Sequence, residues 1–77
     1  MTYVDDGRMP FHRMKMSHLI ADSADELERL ARLLGLRPAW KHGDHYDVGE
    51  GKRRTAIKLG AKPITCRELV KILRRRE

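Results

Sequence analysis

Two imidazoles, three carboxylates and four cations lie close together in the stretch "KHGDHYDVGEGKRR", residues 41–54. His42, His45 and Asp47 are donor types that hold divalent metal ions, and the His-x-x-His spacing places two imidazoles near one another in a tight loop. The cations at 52–54 follow two glycines at a predicted helix start, which suits a phosphate. The spacing matches neither the P-loop nor the dinucleotide-binding fingerprint. The stretch therefore predicts a metal site or an anion site, with a charged turn as the alternative.

Acidic residues end three predicted strands, and two histidines lie near them in the sequence. In open α/β sheets ligands collect at the carboxyl ends of the strands, so parallel strands would bring these acids to one rim. There the acids could hold Mg²⁺ or Mn²⁺ while a histidine acts as general base and Arg54 stabilises phosphoryl charge. Alternatively, each aspartate is a turn or cap residue that accepts a backbone hydrogen bond. The candidate catalytic residues are Asp5, Asp6, His18, Asp22, His45 and Asp47.

Charge is distributed unevenly along the chain, although the net charge is only +6. Residues 1–50 carry seven Lys/Arg and nine Asp/Glu, whereas residues 51–77 carry ten and two, which gives the C-terminal third a formal charge of +8. This asymmetry favours nucleic acid or a phosphorylated ligand as the partner, through Coulomb attraction and counterion release. A solvated surface that promotes solubility is the alternative. The candidate binding residues are Lys52, Arg53, Arg54, Lys58, Arg67, Lys71, Arg74, Arg75 and Arg76.

Aromatic residues make up 5% of the chain, so few side chains are available to stack on bases. Trp40 and Tyr46 are the candidates for stacking. In so small a domain, however, a tryptophan is more often a core residue than a stacking surface.

Seventy-seven residues predict one small domain, 1–77, with residues 74–77 as a frayed basic tail. Cys66 is the one cysteine, so no intrachain disulfide forms and a cytoplasmic location is expected. The cysteine lies in the first turn of a predicted helix, whose dipole could lower the pKa, but nothing marks it as a nucleophile and we expect an inert thiol. No apolar stretch is long enough for a membrane span, so no membrane partner is expected. The small core leaves self-association open.

Start and stop signals define the helices. In "SADELERLARLLG" a Ser-x-x-Glu capping box precedes apolar residues at i, i+3, i+4 and i+7, and Gly35 supplies a left-handed stop, which predicts a helix over 24–34. "TCREL" repeats the capping box and predicts a helix over 66–75. A third helix is predicted over 51–59, after the glycines.

Short apolar or alternating stretches predict strands over 2–5, 17–21, 45–48 and 62–65. Strands therefore alternate with helices. This order predicts a small α/β domain in which a three- to four-stranded mixed sheet packs with about three helices. Residues 7–16 fit neither period and are predicted to be a loop whose Met9, Phe11, Met14 and Met16 cover an edge of the core.

Several separate motifs, "YVDD", "RMKMSHLIAD", "ELERLARLLG", "HYDV" and "AIKLGA", resemble a family of small bacterial and bacteriophage proteins classed as a domain of unknown function. The resemblance covers about residues 2–61 and implies no established activity. His42 and the arginines at 74–76 lie outside the matched positions, so the resemblance does not support a role for them. The matched positions are Tyr3, Asp5, Asp6, Arg13, His18, Asp22, Trp40, His45, Tyr46, Asp47, Arg54, Gly60 and Ala61.

Three hypotheses of function follow from these observations. The charge distribution favours a module that binds phosphate or nucleic acid through a basic C-terminal surface. The alternative is a small metal-dependent hydrolase or nuclease, and a phage protein that binds a host protein is a third hypothesis. If the matched polar residues form one site, Asp5, His18, Asp22, His45 and Arg54 should surround one concave surface.

Overall fold

Five short strands form one mixed sheet in a computed structural model that describes residues 1–6 and 16–75. The strands are β1 (Thr2–Val4), β2 (Ser17–Ala21), β3 (Lys41–His42), β4 (His45–Val48) and β5 (Lys62–Pro63). Their order across the sheet is β3-β4-β2-β1-β5. The predicted loop over 7–16, apart from Met16, lies outside the described residues, as do Arg13 and Arg76.

The α/β class is confirmed, but the sheet has five strands, not three to four. The strand that the prediction missed is β3, which pairs with β4 through a two-residue turn at Gly43 and Asp44. Gly43 has a φ of +64° and Asp44 does not have a positive φ, which fits a type II′ hairpin turn. Two residues are too short to show the alternation that reveals a strand.

Three helices pack on this sheet: α1 (Ala24–Leu33), α2 (Glu50–Lys58) and α3 (Cys66–Arg74). Their bounds match the predictions to within one residue. Both α1 and α2 end with the same hydrogen bond, from Leu36 N–H to Ala31 O and from Ala61 N–H to Ala56 O, each 2.9 Å long. This bond closes a glycine stop of the kind predicted. Across residues 1–6 and 16–75, no helix has both the length and the apolar composition needed to cross a bilayer.

Strand direction decides which strand ends meet. Strand β2 is antiparallel to both β1 and β4, and β5 is parallel to β1. The end of β1, the start of β2 and the end of β4 therefore share one edge of the sheet. The end of β2, which leads to Asp22, lies at the opposite edge.

The two faces of the sheet differ in what covers them. On one face Leu19, Tyr46 and Val48 join the main core with α1 and α2. On the other face Tyr3 and Ile20 pack with Ile64 and α3 in a smaller cluster. The strand residues of that smaller cluster lie on β1 and β2, so the cluster does not extend over β4 and β3.

Candidate metal centre

Four polar side chains share the α3 face of the sheet, over β2, β4 and β3. His18 pairs with Asp47 across β2 and β4, and His42 pairs with His45 across β3 and β4. Paired residues, and residues two apart on one strand, point to the same face. The side chains of His18, His45 and Asp47 are 24%, 27% and 38% exposed, so water reaches all three.

The three groups converge on one point. Nε2 of His18 and Nε2 of His45 each lie 3.7 Å from Oδ1 of Asp47. The three potential ligand atoms all lie within 4.8 Å of one another. A separation of 3.7 Å is too long for a hydrogen bond. It is close to the roughly 3.3 Å between neighbouring ligands around a tetrahedral ion with bonds of about 2.0–2.1 Å.

Each imidazole is fixed from behind by a second carboxylate. Nδ1 of His18 lies 2.7 Å from Oδ2 of Asp5, and Nδ1 of His45 lies 3.1 Å from Oδ1 of Asp44. A carboxylate at Nδ1 favours the tautomer that carries its proton there, which leaves the Nε2 lone pair free to bind an ion. The two rings meet edge to face, with centroids 5.3 Å apart. The arrangement is that of paired carboxylate–histidine units aimed at Asp47.

Asp5 is the fully buried anchor of this arrangement. Its Oδ1 accepts the backbone N–H of His18 at 2.8 Å, and its Oδ2 accepts the Cys66 thiol at 3.3 Å. The Nε–H of Arg53 donates to the backbone oxygen of Asp5 at 2.8 Å. Asp5 is therefore held from β2, α2 and α3, and the His18 ring is positioned through it.

Cys66 is a protonated thiol that donates hydrogen bonds. Burial, with the neighbouring carboxylates of Asp5 and Asp6, raises the pKa of Cys66 to about 12. These effects outweigh any lowering by the dipole of α3. The Cys66 Sγ also lies 3.5 Å from Oδ1 of Asp6. The geometry supports the expected inert thiol and gives no support for a thiolate nucleophile.

Asp22 does not join the other acids. It follows β2, four residues beyond His18, which is about 13 Å along the strand. There it accepts the Tyr3 hydroxyl at 3.3 Å and faces the N-terminal ammonium at 3.3 Å. The expected convergence of all the acids on one rim fails for Asp22 because β2 runs antiparallel to its neighbours.

The predicted cations divide into two groups. Lys52 donates to the backbone oxygen of Leu34 at the end of α1, and Arg53 contacts Asp5 as described above. Of the two predicted arginines, Arg53 contacts the site, whereas Arg54, the predicted stabiliser of phosphoryl charge, is exposed on α2. The others are exposed on α2 and at or near α3: Arg54, Lys58, Arg67, Lys71, Arg74 and Arg75.

Three contributions to the site were missed in the sequence: Asp44 behind His45, and the contacts of Arg53 and Cys66 with Asp5. A signal for Asp44 exists in "KHGDHYD", where Gly-Asp between alternating residues is a hairpin signal. That hairpin places His42 opposite His45. No local signal marks Arg53 or Cys66, because both contacts join residues far apart in the chain.

The fold and this set of side chains define a small α/β domain with a candidate three-ligand metal centre, open to water, on one face of its sheet. Residues 2–76 match the family described as a protein of unknown function, DUF4031, and the chain belongs to this family. The predicted resemblance to a family of unknown function is thus confirmed, and the match extends beyond residue 61 to include Cys66 and α3. No curated protein and no solved structure gives a significant match. The function must therefore be argued from the site.

Proposed function

We propose that the protein is a small hydrolase of phosphoesters that depends on a divalent transition-metal ion held by His18, His45 and Asp47. One observation carries the proposal: two imidazoles, each backed by its own carboxylate, aim Nε2 at one oxygen of Asp47 from 3.7 Å. Imidazole donors favour ions such as Zn²⁺ over Mg²⁺. Three protein ligands leave coordination positions for water, as in catalytic zinc sites.

This assignment divides the roles differently from the sequence-based hypothesis, in which the aspartates held the ion and a histidine was the base. Asp5 and Asp44 fix the ring orientation, and Asp47 and the two imidazoles hold the ion. A divalent ion there would polarise a phosphoryl oxygen and lower the pKa of a bound water. In the reaction the water oxygen bonds to phosphorus and the P–O bond to the alcohol breaks. One water proton leaves with the alcohol, and the other stays on the phosphate.

The carboxylates of the centre repel anions, so the attraction of an anionic substrate comes from the bound ion and from nearby cations. Arg53 is tied to the backbone of Asp5, and Lys52 lies one residue before it on α2. Exposed cations along α2 and α3 add a positive field that attracts phosphate groups. A neutral substrate such as a peptide or carboxylic ester has no comparable reason to approach this surface.

Metal binding tests the first half of the proposal. Titration with Co²⁺, followed by its visible absorption, should show one saturable site that Zn²⁺ displaces and Mg²⁺ does not. Variants His18→Ala, His45→Ala and Asp47→Asn should each weaken Co²⁺ binding at least tenfold. Asp22→Asn is the matched control because Asp22 lies at the opposite edge of the sheet, and it should bind like the wild type. Equal losses of Co²⁺ affinity in Asp22→Asn and in the ligand variants would contradict the proposed metal centre.

Catalysis tests the second half. The Mn²⁺- or Zn²⁺-loaded protein should hydrolyse bis(p-nitrophenyl) phosphate, and EDTA should abolish the rate. Asp47→Asn should lose the activity, whereas Asp22→Asn should keep it. Tight Co²⁺ binding without hydrolysis of this diester or of p-nitrophenyl phosphate would leave a metal-binding protein and reject the hydrolase.

A second candidate function, nucleic-acid binding, is supported by the exposed cations on α2 and at or near α3. Replacement of Lys71, Arg74 and Arg75 by alanine should weaken binding to a generic oligonucleotide without unfolding the domain. The affinity should fall as salt rises, with a log–log slope of about −0.7 to −0.9 per phosphate contact. Arg29→Ala with Arg32→Ala on α1 is the control. Absence of binding by the wild type at low salt would reject this function.

A further inference from the structure

A cleft of about 470 Å³ opens beside the candidate centre, at the end of β4. It lies between the 3₁₀ turn at Pro38–Trp40 and the start of α2, and His42 and Asp47 belong both to its lining and to the polar cluster described above. Leu36, Trp40 and Val48 belong to its apolar lining, and Lys52 also lines the cleft. Its volume is within the range of small-molecule pockets, about 300–1,000 Å³.

We propose that this cleft binds the base of a mononucleotide and so places the phosphate of that nucleotide at the centre formed by His18, His45 and Asp47. The placement of the phosphate rests on the proposed metal-dependent function. The binding of the base does not, because the apolar wall of the cleft is formed by other residues.

Trp40 is the first reason to assign a planar ring to the cleft. The sequence analysis favoured a core position for this tryptophan, but its side chain is 48% exposed. The guanidinium of Arg37 lies 5.7 Å from the centre of the indole ring, a cation–π contact that orients the ring. An exposed, oriented indole beside a cavity is a stacking surface for a base.

The polarity of the cleft is the second reason. Leu36 and Val48 line the cleft but are almost fully buried, so its exposed apolar surface comes mainly from Ala39 and Trp40, which suit a ring that carries no charge. Lys52 is the cation of this lining, and one donor of its ammonium is used by the backbone oxygen of Leu34. An ammonium has three donors, so two stay available for phosphate oxygens. An apolar surface, an indole and a cation beside a candidate metal centre match the base and phosphate of a nucleotide.

The chain carries its own reporter, because Trp40 is the single tryptophan. Adenosine 5′-monophosphate, added to the Zn²⁺-loaded protein, should change the Trp40 emission in a saturable way. Ribose 5-phosphate, which lacks the base, should bind at least tenfold more weakly. By calorimetry, Trp40→Ala should weaken binding of adenosine 5′-monophosphate at least tenfold, and Trp40→Phe should retain most of it. Leu33→Ala, at an exposed leucine of α1, is the control.

The outcomes separate the two proposals. Normal Co²⁺ binding with no binding of adenosine 5′-monophosphate, or with equal affinity for ribose 5-phosphate, would overturn the cleft assignment and leave the metal centre. Absence of Co²⁺ binding by the wild type, with adenosine 5′-monophosphate still bound in a way that depends on Trp40, would overturn the metal centre and support the base site. Unchanged nucleotide affinity in Trp40→Ala would overturn the cleft assignment in either case.

Discussion

Asp5→Asn is expected to disable the metal centre through a residue that does not touch the ion. Among the described residues, the Asp5 carboxylate accepts hydrogen bonds from the His18 backbone at 2.8 Å, the His18 ring at 2.7 Å and the Cys66 thiol at 3.3 Å. An asparagine keeps one acceptor oxygen. If that oxygen takes the backbone bond, its NH₂ faces Nδ1, and the ring proton must move to Nε2, the atom that would bind the ion. If the amide is flipped, its NH₂ faces the backbone N–H of His18, and two hydrogen-bond donors then oppose each other.

The size of the effect follows from these contacts. Loss of the carboxylate behind a metal-binding histidine lowers metal affinity about 10- to 100-fold, equivalent to about 1.4–2.7 kcal/mol. The fold loses hydrogen bonds to a buried charged acceptor, worth about 1.5–3 kcal/mol each, and part of this loss is offset because an amide is easier to bury than a carboxylate. We therefore expect the free energy of unfolding to fall by about 1–3 kcal/mol.

The assay combines Co²⁺ titration with urea unfolding, so that affinity is measured on folded protein. Asp6→Asn is the control, since the neighbouring Asp6 carboxylate accepts from Cys66 at 3.5 Å and should affect Co²⁺ affinity less than threefold. A folded Asp5→Asn protein that binds Co²⁺ with wild-type affinity would refute the tautomer argument. It would also remove the reason to regard His18 as a pre-oriented ligand.

Three further perturbations test other parts of the structure. At pH 8 a thiol with a pKa of about 12 has about 1,000-fold less thiolate than a thiol with the usual pKa of 9.0, and the higher nucleophilicity of that thiolate offsets about 20-fold of the difference. Iodoacetamide should therefore alkylate Cys66 at least tenfold more slowly in native protein than in urea. Equal alkylation rates, measured by mass spectrometry, would contradict the burial of Cys66. The ammonium of Lys41, 3.0 Å away, and the Tyr46 hydroxyl lower the pKa of Glu28 in the folded protein. The Glu28 carboxylate therefore stabilises the fold at any pH above its unfolded-state pKa, near 4.5, and this stabilisation is lost as the pH falls through the lower pKa of the folded state. Glu28→Gln should accordingly lower the urea midpoint at pH 7 but much less at pH 3, and a constant difference would show that the carboxylate charge is not the cause. The exposed His42 ring has its Nε2 3.7 Å from Oδ2 of Asp47 and should contribute less to metal affinity than the three ligands, so His42→Ala should weaken Co²⁺ binding less than tenfold. Complete loss of Co²⁺ binding in this variant would show that His42 is itself a ligand.

The helices could be predicted from the sequence because their signals are local. The capping box at Thr65 and Glu68 and the glycine stops lie within a few residues of the ends they define. The same holds for the alternation in "HYDV", which predicted the strand over 45–48. Short-range steric and hydrogen-bonding preferences fix these features.

The direction of the strands could not be predicted from local sequence signals. Whether β2 runs parallel or antiparallel depends on packing across the whole sheet, and this single choice separated Asp22 from Asp5. The contacts of Asp5 with Arg53 and Cys66 join residues 48 and 61 positions apart, so no sequence window includes both partners. The candidate site therefore contains residues that the sequence analysis named, together with contacts that no local pattern could indicate.

The anchor at Asp5 also bears on how the chain folds. Its contacts tie β1 to β2, 13 residues away, and to the start of α3, 61 residues away, while His18 faces β4. An ion bound there would act as a long-range crosslink absent from the unfolded chain, in a domain whose core is small. At a free ion concentration 100 times the Kd, it would add about 2.7 kcal/mol to the free energy of unfolding. Metal supply would then set how much of the protein survives proteolysis, independently of any reaction it catalyses.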